Sequence, residues 1–174
     1  NGGPDATIIT NSTIVGNSTS GSAALGGGIS FENNLTLANS TVTGNSVTGA
    51  NADGGGIQGV NLTVQNSIVL GNYAKVFYAQ DISEPGSVTL TGNNIVGRES
   101  AVYADLFNGS MDVGNTTAGD VFDQIQINVG VAAGVLADNG GPVQTVALLR
   151  EITNPAIDGS GTGAEANDAR GEAA

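Results

Sequence analysis

Through the first hundred residues apolar and polar positions alternate at short range, and no stripe of helical period is visible. Ile9, Ser12 and Ile14 are followed at a fixed distance by Leu37, Ser40 and Val42, within stretches dominated by Thr, Val and Ile. β-Branched residues of this kind suit the pleated, half-buried surface of a strand. The pattern itself recurs. NSTIVGN at 11–17 returns as NSTVTGN at 39–45 and as NSIVLGN at 66–72, at spacings of 28 and 27 residues. A weaker copy runs through VTLTGNNIVGR, where Ile95 and Gly97 stand 26 residues after Val69 and Gly71. A second marker, GGGI at 26–29 and 54–57, shares the period.

A unit of 26 to 28 residues holds about three short strands and their corners, which is one coil of a parallel β-helix. The expected fold is therefore all-β: a right-handed parallel β-helix, or solenoid, of about four coils over residues 1–98. Residues 99–174 are expected to supply the last coil or coils and a less regular C-terminal cap, because an open end would expose unpaired strand edges. Equivalent residues of successive coils lie about 4.8 Å apart, so repeated letters become columns. Ile14, Val42, Val69 and Ile95 are expected to form one inward column, and Ile9, Leu37, Val64 and Leu90 another. Asn17, Asn45 and Asn72 are expected to form an outer or corner ladder of hydrogen-bonded amides. The Gly before each of these Asn residues tolerates the left-handed backbone of a sharp corner.

The repeat fails in two places. At YAKVFYAQDISEPG (73–86) GGGI does not recur; Tyr73, Phe77 and Tyr78 there are expected to pack under an enlarged turn, with a projecting binding loop as the other reading. After Arg98 the period dissolves, and Tyr103, Phe107 and Phe122 are expected to pack over the last coil.

The tail carries different motifs: LADNGGPVQTVALL at 136–149, NPAIDGSG at 154–161 and NDARGEA at 167–173. It resembles the C-terminal part of the bacterial choice-of-anchor Q domain surface proteins, through Leu136, Asn139, Gly140, Gly141, Pro142, Thr145, Leu148 and Leu149. The resemblance continues through Pro155, Ala156, Ile157 and Asp158, and then Asp168, Arg170 and Gly171. Val146 stands where the family often has His, and Ala169 where it has Gln. The resemblance implies parallel β-helix repeats, export, and attachment to the bacterial cell surface by a sorting sequence beyond this segment. It implies no chemical activity. The opening NGGPDATIIT starts within the pattern, so a signal and earlier repeats are expected ahead of it.

Charge narrows the partners. Four Lys and Arg against 16 Asp and Glu give a net charge of −12, which opposes any phosphate backbone and argues against nucleic acid. There is no run of apolar residues long enough to span a membrane. Without Cys or His, disulfides and the usual zinc sites are excluded. Calcium remains the candidate cation: Asp53, Asp81 and Asp105 fall near corresponding corners, although the Asp of a calcium-binding nonapeptide is missing after each GGGI. The seven Asn-x-Ser/Thr sequons, at Asn11, Asn17, Asn34, Asn39, Asn61, Asn108 and Asn115, are explained by the corner chemistry of the repeat.

Candidate catalysis centres on Lys75 beside Tyr73 and Tyr78, with Asp81, where a base for a lyase or epimerase acting on uronate polymers would stand. Asp168 and Arg170 form a second charged pair, expected to pin the tail as part of the cap. A Thr ladder of the kind that would bind ice begins at Thr13 and Thr41 and is broken by Ile68 and Asn94. The expected function is a non-catalytic, extracellular structural or adhesive module that binds glycans, other copies or neighbouring surface proteins. The polysaccharide-active module is the alternative.

Overall fold

The computed structural model describes residues 6–75, 81–83, 86–97, 110–113, 116–151 and 154–156; at 110–113 it describes the backbone alone. Tyr78, Phe77, Tyr103, Asp105, Phe107, Asp158, Asp168 and Arg170 lie outside the described residues.

Each turn of chain lays down four short strands. The first comprises β1 (Ala6–Thr10), β2 (Thr13–Val15), β3 (Ser18–Thr19) and β4 (Ile29–Ser30). The second comprises β5 (Asn34–Ala38), β6 (Thr41–Thr43), β7 (Ser46–Val47) and β8 (Ile57–Gln58). The third comprises β9 (Asn61–Gln65), β10 (Ile68–Val69), β11 (Tyr73–Ala74) and β12 (Ile82–Ser83). A fourth begins with β13 (Ser87–Thr91) and β14 (Asn93–Val96). Equivalent strands stack in parallel as β1-β5-β9-β13, β2-β6-β10-β14, β3-β7-β11 and β4-β8-β12. This is a parallel β-solenoid with three complete turns among the described residues. Then β15 (Ser110–Val113) adds a fifth rung beside β14.

The inward columns follow from strand alternation. Ile9, Leu37, Val64 and Leu90 are in register as expected. The other column runs Ile14, Val42, Val69, Val96, so its fourth member is Val96 and not Ile95. Ile95 instead stacks on Ile68 and faces outward, into a second apolar cluster with Leu70, Ala118, Val121 and Phe122. The alternation of a strand makes a slip of one residue move a side chain to the opposite face. By the same register the Thr13–Thr41 column continues into Ile68 and Ile95, not Asn94. Asn94 turns in and receives the N–H of Ser67 at 3.0 Å.

The heptad is two bends around one strand. Its first Asn adopts the left-handed conformation in every copy, with φ of 48° at Asn11, 49° at Asn39 and 45° at Asn66, and its Gly does the same at Gly16, Gly44 and Gly71. The final Asn builds the expected ladder: Asn17 donates from both N and Nδ2 to Asn45 Oδ1 at 3.0 and 2.9 Å, and Asn45 does the same to Asn72 Oδ1. The ladder is not on the outside. Asn45 and Asn72 are fully buried, because the GGGI segments pass directly over them. A Cβ on Gly28 would lie 3.0 Å from the Asn45 amide, and one on Gly56 2.8 Å from Asn72 Nδ2 and 2.5 Å from the Asp81 carbonyl. These glycines exist for close approach, and Gly26 and Gly54, at φ 66° and 68°, make the corner.

A second ladder uses the heptad Ser. Ser12 N–H donates to Ser40 Oγ, Ser40 N–H to Ser67 Oγ, and each hydroxyl donates back to a carbonyl two residues earlier.

The tail does not sit over the end of the stack where it is described. After α1 (Ala118–Val121) come the antiparallel pairs β16 (Ile125–Asn128) with β17 (Val131–Gly134) and β18 (Leu136–Ala137) with β19 (Thr145–Val146). These lie along the outer face of the sheet containing β6, β10 and β14. Asn128 Nδ2 donates to the Gly44 carbonyl at 2.8 Å, and Gly134 N–H to Thr43 Oγ1 at 3.1 Å. Phe122 therefore packs against the flank of the solenoid at Leu70 and Ile95, and not over its last coil.

Replacing Gly56 with Ala is expected to cost about 3 kcal/mol, because backbone and a buried amide must both move. Gly16→Ala, with open space around its Cβ and only a left-handed φ to resist it, is expected to cost about 1 kcal/mol. Urea unfolding of the two variants measures the difference.

Candidate functional site

The tail docks on this flank at Thr43, Gly44 and Gly71 and over Ile68 and Ile95, and leaves Thr13 and Thr41 facing a groove beside it. The outward column changes from Thr13 and Thr41 to Ile68 and Ile95 where the tail makes contact. Between the two bodies runs a groove of about 610 Å³. One wall is the solenoid flank with its left-handed corner residues Asn11 and Asn39, the hydroxyls of Thr13 and Thr41, and Ile68 at the base. The other wall is tail: Asp123, Asn139, Thr145 and Arg150 with the intervening Val146 to Leu148.

The tail wall is held by its own motifs. Asn139 Nδ2 donates to the Thr145 carbonyl at 2.8 Å and to Thr145 Oγ1 at 3.1 Å, which closes the loop joining β18 to β19. Gly140, at φ 91°, and the Asp138 carboxylate that accepts its N–H shape the turn. Asn154, buried just before Pro155, donates to the Val121 and Leu149 carbonyls at 2.9 and 2.7 Å. Asp123 N–H reaches the Ala147 carbonyl at 3.0 Å. Of the residues that carried the tail motifs, Asn139, Thr145 and Leu148 thus line one side of the groove. The lining combines neutral amides and hydroxyls with one carboxylate and one guanidinium, chemistry that meets the hydroxyls of a sugar with both donors and acceptors.

Of the residues singled out for catalysis, Tyr73, Lys75 and Asp81 are described. Tyr73 belongs to β11, paired with Ser46 of β7, and is buried in the wall. The departure from the repeat begins after Lys75, which is exposed at a turn with its N–H bonded to the Val47 carbonyl. Asp81 is buried and turns inward. Tyr73 and Asp81 therefore do not line an open cleft around Lys75.

Of the expected calcium ligands, the two that are described, Asp53 and Asp81, are not in register. Asp53 stacks on Leu25, whereas Asp81 precedes Ile82, the partner of Ile57; Asp53 and Asp81 thus occupy different positions along their turns. Asp53 Oδ1 accepts the N–H of Gly54 at 3.0 Å. Among the described residues no three acidic side chains converge as a metal site.

Asp81 has another role. Its Oδ1 accepts the Asn72 N–H at 2.8 Å and Asn72 Nδ2 at 2.7 Å, the position that the Asn of a next turn would fill. Asp81 therefore ends the amide ladder. Burial pushes its carboxyl from 3.8 up to about 8, against the opposing pull of the backbone and side-chain donors of Asn72. Sequence reasoning looked for ladder members one period apart, and Asp81 arrives from nine residues away within the same turn.

A scan against family models, a search of curated proteins and a search of solved structures each return no match. The fold and groove define a parallel β-solenoid with a polar cleft on its flank. Among the described residues no helix is long and apolar enough to cross a membrane.

The folded chain holds the Asp81 proton more tightly than the unfolded chain does. Stability is therefore expected to be greatest below about 3.8 and to decline as pH rises through about 8. Asp81→Asn, which restores the ladder letter, is expected to flatten that decline. Thermal melts from pH 4 to pH 9 check it; parallel profiles for the two proteins would assign the dependence to other groups.

Proposed function

We propose that this chain is a non-catalytic, extracellular structural and adhesive module of a bacterial cell-surface protein, and that it holds glycans in the flank groove. The observation that carries the reading is the lining: corner amides at Asn11 and Asn39 and hydroxyls at Thr13 and Thr41 face the tail residues Asn139 and Arg150 across about 610 Å³. Two buried ladders and a continuous aliphatic core give the solenoid wall a fixed geometry, so polar groups are presented without an ordering cost at each encounter. The resemblance of the tail motifs to choice-of-anchor Q proteins supports the surface location. Affinity per site would be modest and avidity would come from several copies on one surface.

The neutral part of the lining favours uncharged or weakly acidic sugars, and the net charge of −12 disfavours strongly anionic polymers.

A glycan array with and without calcium, followed by product analysis of each polymer retained, is the direct test. Retention without product is expected, and Asn39→Ala combined with Thr41→Val is expected to weaken it roughly 10-fold or more. Unsaturated or epimerised products that vanish in Lys75→Ala would replace this reading with a lyase or epimerase. Retention untouched by the double variant would move the site elsewhere.

A further inference from the structure

The two ends of the solenoid differ in chemistry. The side-chain to side-chain bonds of the buried ladder all run toward the C-terminal end, Asn17 to Asn45, Asn45 to Asn72 and Asn72 to Asp81, while the Nδ2 of Asn45 and of Asn72 also donates back to the carbonyls of Ile14 and Val42. At the top, no donor from the described residues reaches Asn17 Oδ1, the atom that at Asn45 and Asn72 takes two. The Ser ladder shows the same asymmetry: Ser40 Oγ and Ser67 Oγ each accept an N–H from the turn above, and Ser12 Oγ accepts none from the described residues.

The apolar interior is open at that end too. Ile9, Ile14 and Ile29 are only half buried, whereas their partners Leu37, Val42 and Ile57 are fully buried. Leu25 is 46% exposed. Their upper edge is the backbone of β1 to β4, and among the described residues each of these strands has a partner on one side only.

The geometry points to the first turn as a docking surface for one further solenoid turn of the same Asn-Ser-Thr-x-x-Gly-Asn pattern, stacked with its strands parallel. The occupant is set by hydrogen-bond polarity. Asn17 Oδ1 needs a backbone N–H and an amide N–H from above, which the final Asn of such a heptad supplies, as Asn17 itself supplies them to Asn45. Ser12 Oγ needs the N–H of a heptad Ser, as Ser40 Oγ receives that of Ser12. A second copy of this chain fits poorly in either orientation. Head to head, acceptor faces acceptor at Asn17. Head to tail, the donors of Asn72 are already taken by Asp81.

The test joins a duplicate of residues 34–60 directly ahead of Ala6. If the duplicate docks, Tm rises by roughly 5 °C or more, and the amides of β1 to β4 gain protection from hydrogen exchange. Changing the Asn45 equivalent in the duplicate to Asp, which removes the side-chain amide donor, keeps the backbone N–H and sets a carboxylate against Asn17 Oδ1, is expected to abolish most of the gain. An added segment that stays unprotected and leaves Tm unchanged would overturn the proposal, as would an equal gain from the Asp variant. The unextended chain provides the other arm. It is expected to sediment as a monomer at every concentration tested; self-association abolished by Ile14→Lys would hand this end to a second copy and overturn the assignment.

Discussion

A primary amide buried in the centre of a protein must have its hydrogen bonds met, and this fold is arranged around that requirement. Asn45 and Asn72 lie where no solvent reaches, and leaving such a group unsatisfied costs about 1–3 kcal/mol. For Asn45 the turn below supplies the acceptor, so the chain must return to the same point after one period, and for Asn72 the acceptor is Asp81 of its own turn. The Gly before each Asn turns the backbone so that the side chain points in. The GGGI segment must then pass flush over the amide, and a single Cβ at Gly28 or Gly56 would hold it away. Period, corner and glycine run are thus three consequences of one buried group. The aliphatic columns supply the larger part of the burial, but they tolerate exchange among Ile, Leu and Val, as Leu37, Val64 and Leu90 show.

The flank links this wall to the groove. Along one outward column Thr13 on β2 and Thr41 on β6 give way to Ile68 on β10 and Ile95 on β14, so that column is polar above and apolar below. Phe122 and its neighbours cover the apolar half. The boundary between covered and open surface is where the groove lies, and its position follows from the residue type at each rung. Register carries that information: the slip that would move Ile95 inward would also leave Phe122 without its partner.

Much of the solenoid was legible because period and chemistry coincide in the heptad. Asn17, Asn45 and Asn72 stand at the ladder, and Ile9, Leu37, Val64 and Leu90 align as the spacing requires. The degraded fourth copy misled. Anchoring it on Gly97 placed Ile95 in the core, whereas the hydrogen bond from Gly97 N–H to the Val69 carbonyl sets the spacing one residue longer. The Ser ladder was missed although Ser stands second in all three heptads, because a Ser beside a turn reads first as turn chemistry. The groove could not be read at all. It arises between a repeating wall and a non-repeating tail, and only the change from Thr41 to Ile68 along one column hints that something lies there.

The ladder has one more property. Along the strands, backbone hydrogen bonds alternate in direction: Asn11 N–H points down to the Ala38 carbonyl and Thr41 N–H points up to that of Ser12, so their dipoles largely cancel. The Asn side chains do not alternate. Each repeats one orientation, with Nδ2 donating to the next acceptor along the ladder, while the Nδ2 of Asn45 and of Asn72 also donates back to the carbonyls of Ile14 and Val42, so the parallel amide dipoles polarise one another along the axis. The buried column is a small electret set inside a nonpolar sheath, negative at Asn17 and positive where Asp81 closes it.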